Sequence, residues 1–68
     1  MSQKERGQLK LLEGHRVSVA LDDGTRIDDC ELVAVPPSTR GHLWVHANGV
    51  DSFVPFNKVA DVWEVRRG

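Results

Sequence analysis

At 68 residues and a net charge of −1, the chain is one small domain and offers no global attraction to a polyanion. A domain of about this size buries only ~60% of its unfolded surface, so it needs a disulfide, a metal or self-association to hold it. One cysteine, Cys30, excludes an internal disulfide, and no CxxC or paired Cys/His spacing suggests zinc, which leaves oligomerisation.

The first element expected is a helix over residues 2–13, with Ser2 as N-cap and Glu5 at capping-box spacing. Leu9 and Leu12 share a face, Leu11 lies off it, and Gly14 supplies the stop. So short a helix is marginal alone and must dock on something. Arg16 to Leu21 alternates, with Val17, Val19 and Leu21 facing one way, which predicts a half-buried strand. Asp22-Asp23-Gly24-Thr25 is a turn. Arg26 to Val35 is the second strand, and its apolar phase switches between Ile27 and the set Cys30, Leu32 and Ala34. Such a switch implies a bulge or sharp bend near Asp28-Asp29.

Pro36 to Gly41 is a loop, stiffened by two prolines. Leu43 to Ala47 is the third strand, with Leu43, Val45 and Ala47 on one face and Trp44 and His46 on the other. Asn48-Gly49 between apolar runs is the strongest hairpin signal in the chain, because both residues tolerate positive φ. Val50 to Pro55 is the fourth strand, Pro55 to Lys58 a 3₁₀ turn, and Val59 to Val65 the fifth strand, followed by a frayed Arg66-Arg67-Gly68 tail. The fold class expected is therefore mainly β: a short N-terminal helix and a five-stranded, strongly bent antiparallel barrel over residues 16–65, in one domain spanning 1–68.

One helix followed by five short strands with a bent second strand resembles the small SH3-like barrels, and the helix makes the chain most similar to the Sm-like family, which includes Hfq. The resemblance rests on Gly14-His15-Arg16-Val17-Ser18-Val19-Ala20-Leu21, on Asp23-Gly24-Thr25, and on the close at Val59-Ala60-Asp61-Val62. It covers almost the whole chain and implies an RNA-binding module that assembles through strand edges. The RNA motifs of that family are not matched. The Asp-x-x-x-Asn motif is absent from Pro36 to His42, Phe56-Asn57-Lys58 stands where Arg-Gly is usual, and Asp28-Asp29-Cys30 replaces the second-strand glycine. The Tyr-Lys-His run that Hfq-type proteins carry before the last strand is replaced by Pro55-Phe56-Asn57.

Candidate binding residues follow from position in the expected barrel: Arg40, His42, Trp44, Phe56 and Lys58. A Trp on an outer strand face, beside Phe53 or Phe56, can stack bases or grip a peptide; equally, Trp44 and Trp63 can complete the core or a subunit interface. Arg40, His42, His46 and Lys58 either meet phosphates or are solvated charge. The acidic set Asp22, Asp23, Asp28, Asp29 and Glu31 does not match a calcium loop and fits turn chemistry and protection of strand edges. His42 and His46 lack a third metal ligand, and Cys30 reads as a buried, inert thiol. On the helix, Lys4, Arg6 and Lys10 either meet a partner or ride on an element that caps the barrel.

No catalytic pair, phosphate loop, metal spacing or cofactor motif is present, so an enzyme is not expected. The leading expectation is a non-enzymatic Sm-like module, homo-oligomeric through its strand edges, with RNA as ligand. The alternative is an SH3-like adaptor for a protein partner, monomeric or dimeric, with no nucleic-acid role. The opening MSQKERGQLK has no apolar h-region, no run approaches the ~18 apolar residues of a membrane span, and the lone cysteine fits a reducing compartment. The expected location is the cytoplasm.

Overall fold

The computed structural model describes residues 6–65. Five antiparallel strands form one sheet: β1 (Arg16–Leu21), β2 (Arg26–Ala34), β3 (His42–Ala47), β4 (Val50–Pro55) and β5 (Val59–Glu64), in the order β4-β3-β2-β1-β5. Hydrogen-bonded neighbours run from β4 at one end to β5 at the other, so these two strands are the sheet's edges and do not close onto each other.

A single α-helical stretch, α1 (Arg6–Leu9), tightens into a 3₁₀ turn at Lys10–Leu12; the expected Ser2–Glu5 cap lies outside the described residues. Its face was legible: Leu9 is fully buried, Leu12 packs against the core, and Leu11 is exposed. Gly14 ends it at φ +87°, a conformation that costs glycine little. Glu13 then ties the element down, its Oε2 accepting the Val35 N–H at 2.8 Å.

The predicted bend in β2 is a bulge. Val17 pairs with Cys30 and Val19 with Ile27, so β2 spends one extra residue there, and Asp29 takes φ +55°. This is what brings Ile27, Cys30 and Leu32 onto one core despite their opposed phases. A second bulge, which the sequence pattern had not suggested, lies at Val33, where Leu32 pairs with Val45 and Ala34 with Trp44. The phase flips again, and Val35 rather than Ala34 is the buried residue at the strand's end.

These two bulges in β2, with a third irregularity between β1 and β5 where Ala20 pairs with Asp61 and Leu21 with Val59, curl the sheet about one core. Val54 on β4 and Val59 and Val62 on β5, from opposite edges, join the same apolar cluster as Val17, Val19, Leu32, Leu43 and Val45. Leu9 covers it from the helical side.

Candidate functional site: the outer face of the β3–β4 hairpin

The site begins with the Asn48-Gly49 turn. Both residues take positive φ, +54° and +77°, which gives the two-residue turn whose twist matches the flanking strands. A two-residue turn leaves no freedom of register. Ala47 opposes Val50, and it follows that His46 opposes Asp51, Trp44 opposes Phe53 and His42 opposes Pro55. The Phe56 N–H donates to the Gly41 carbonyl at 3.0 Å, so positions 41 and 56 are a hydrogen-bonded pair. Antiparallel pairs alternate, which makes Trp44–Phe53 and His46–Asp51 non-hydrogen-bonded pairs, whose side chains stand closest together.

Those side chains interact as that spacing predicts. The Trp44 and Phe53 rings stack with centroids 5.4 Å apart and planes 28° from parallel. The Trp44 Nε1–H donates to Asp51 Oδ1 at 3.1 Å, and His46 Nδ1 lies 2.7 Å from the same oxygen. The bond from His46, and then that from Trp44, hold the Asp51 carboxyl below its ordinary range, so it stays ionised. Phe53 is nevertheless 59% exposed. The result is an aromatic pair at the surface with a fixed carboxylate at its side.

A row of charge continues from this pair across the sheet. Asp51, His46, Glu31 and Arg16 are successive partners over β4, β3, β2 and β1. Arg16 Nη1 bonds the Asp29 carbonyl at 3.2 Å and its carboxylate at 3.5 Å. Arg16, Asp29, Glu31 and His46, with the 47–49 turn, line a depression of about 390 Å³.

A second aromatic grouping lies on the outer face toward β5. The Arg26 guanidinium sits 5.1 Å from the Trp63 ring centroid, and its Nη2 donates to Asp28 Oδ1 at 2.8 Å. The bond from Arg26 is the main reason the Asp28 carboxyl is held low, and the Ser18 hydroxyl adds to it. Ser18, opposite Trp63, is thereby covered to 4% exposure although its alternation points it outward.

The five expected binding residues separate. Trp44 and His42 share the outer face of β3, and Arg40 is exposed in the loop before it. Phe56 is corrected: at 3% exposure it belongs to the core and presents no ring to a ligand. Lys58 is exposed in the 3₁₀ turn Phe56–Lys58, where its carbonyl accepts the Asp22 N–H at 2.9 Å and its charge acts on Asp23. It therefore belongs with the β1–β2 turn, away from Trp44. Asp51 was missed, although register counting from Asn48-Gly49 places it beside His46.

The His46–Asp51 pair orients an imidazole, but among the described residues none of its hydrogen bonds reaches a hydroxyl or thiol. The Cys30 thiol is fully buried, and burial pushes its pKa up. Among the described residues, no group of three His, Cys, Asp or Glu side chains is placed to hold a metal ion, and no helix is long and apolar enough to cross a membrane. What the surface offers chemically is stacking, charge and open main-chain edges. Comparison with protein-family models, with curated proteins and with solved structures finds no match to this chain.

Proposed function

We propose that this chain is a non-enzymatic binding module of the Sm-like, SH3-like small-barrel kind that self-associates through its strand edges and takes its ligand on the Trp44–Phe53 face. The observation that carries the reading is the placement of exposed apolar surface. Among the described residues, two of the three exposed large apolar side chains, Val50 and Phe53, sit on the edge strand β4. An apolar edge with unpaired main-chain groups is a template for another strand, and the other open edge, β5, belongs to the same molecule. Pairing β4 of one copy with β5 of the next is a head-to-tail contact, which closes into a ring when the rotation allows.

Charge separates the two ligand classes. Arg40 and His42 near Trp44 favour RNA. Asp51 and Glu31 flank the same face, and with Phe56 in the core and Lys58 elsewhere they favour a protein ligand. A protein ligand for this face therefore leads, with RNA as the alternative.

Absolute mass in solution, by size exclusion with light scattering, tests the assembly. A mass of roughly five to eight chains is expected for a closed ring, and a monomer at all concentrations removes the self-association. RNA binding that falls steeply with salt, at affinities above those of an unrelated acidic protein, would restore the RNA alternative.

A further inference from the structure

We propose that the Trp44–Phe53–Asp51 surface is a receptor for an arginine side chain on an extended segment of a partner protein. The inference rests on the reading that this face takes a protein ligand and goes beyond it by naming the group recognised.

The chemistry is argued from three features of the surface. Both hydrogen bonds to Asp51, from Trp44 Nε1 and from His46, converge on Oδ1, so Oδ2 of a carboxylate fixed in orientation remains available to a donor from outside. Among the described residues the ion pair of Asp51 is with His46 alone. Beside that oxygen lies an aromatic pair with Phe53 59% exposed, and ring faces attract cations. Glu31, beyond His46 in the row across the sheet, adds negative charge on the same side.

The molecule itself supplies the template. On the other half of the outer face, Arg26 lies over Trp63 and bonds Asp28 at 2.8 Å: indole, guanidinium and carboxylate in one arrangement. Trp44 and Asp51 repeat two of the three parts, held together by a direct indole–carboxylate bond. A guanidinium suits the third position better than an ammonium, because its planar fork can bond Oδ2 while lying against a ring. An extended segment is favoured by the β4 edge wherever β5 of another copy does not occupy it. Alternation of the ladder turns the main-chain groups of Asp51 and Phe53 outward, where an added strand would meet them.

The experiment uses the full chain labelled with ¹⁵N and follows the Trp44 and Trp63 indole N–H resonances while a blocked Ala-Arg-Ala-Arg-Ala peptide is added. Peptides with Lys or Gln in place of Arg, and oligouridine, are the comparisons. The Arg peptide is expected to shift the Trp44 indole, the Lys peptide less and the Gln peptide not at all, with the effect weakened by salt. Asp51→Asn keeps an acceptor for Trp44 and removes the charge; it is expected to weaken Arg-peptide binding about tenfold. Phe53→Leu, read the same way, keeps the test open should Asp51→Asn disturb the fold. Equal binding of Arg and Gln peptides, an unchanged affinity in both variants, a shift confined to Trp63, or stronger binding of oligouridine at Trp44 each overturns the proposal. The mass of the same sample separates this from self-association: a monomer that binds the Arg peptide leaves the receptor standing and removes only the assembly.

Discussion

Asp29 illustrates how one residue sets the shape of the molecule. Its φ of +55° lies in the left-handed region, which aspartate enters more easily than most residues, and the extra residue it contributes reverses the facing of β2. Gly41 is a steric counterpart at the other end of the site. A Cβ there would stand 2.5 Å from Cβ of Pro36, a ring atom that cannot swing aside. Gly41→Ala is therefore expected to lower stability by about 1–3 kcal/mol, read as a drop in the urea midpoint at unchanged slope. Gly41 also accepts the Phe56 N–H, so the variant reports on the anchoring of the hairpin's open end; an unchanged midpoint would mean the loop relaxes freely. Residues whose role depends on alternation were legible, as Trp44 on the outer face and Leu43 and Val45 in the core show. Phe56 was not, because a 3₁₀ turn has no two-residue period from which to read a face, and an aromatic beside Pro55 and Lys58 looks like a surface feature.

At the scale of elements, the β3–β4 hairpin is the unit on which the site depends. Its register comes from the turn, and the register alone brings Trp44 to Phe53 and His46 to Asp51. Gly49 at φ +77° is strained for any residue with a side chain, although a Cβ there would meet no neighbour. Gly49→Ala is expected to cost about 1–2 kcal/mol through backbone strain alone, with the Trp44 indole resonance still in its Asp51-bonded position. A variant that keeps full stability but loses that resonance would point to a register slip instead. The hairpin, the Asp22–Thr25 turn and the first bulge were all readable from local residues. The second bulge was not, because Leu32-Val33-Ala34-Val35 is apolar in both phases and gives no alternation to break. The indole–carboxylate bond joins residues seven apart and needed the register as an intermediate step.

For the molecule as a whole, the question is how the two open edges are used. Hydrogen-bond alternation shows which main-chain groups face outward. On β4 they belong to Asp51, Phe53 and Pro55, and Pro55 is tolerated in a strand because its missing N–H would have pointed away from β3. On β5, the Val65 N–H donates to the Arg16 carbonyl, so Glu64, opposite Val17, turns its own N–H outward. Proline at position 64 would thus remove a donor that only a second strand can use, as Pro55 already does on the other edge. The side chain lost with it is a partly exposed partner of His15 at 3.2 Å, a contact of the kind that contributes little. Glu64→Pro is expected to leave the strand signal in circular dichroism intact and to reduce the assembled mass to that of a single chain. If the mass stays at several chains, copies meet elsewhere, and the exposed Leu11 on the N-terminal turn becomes the next surface to change. If the native chain and the variant are both monomeric, β4 is an edge kept open for a partner's strand, and the Arg-bearing segment proposed for Asp51 and Phe53 is the strand that would add to it.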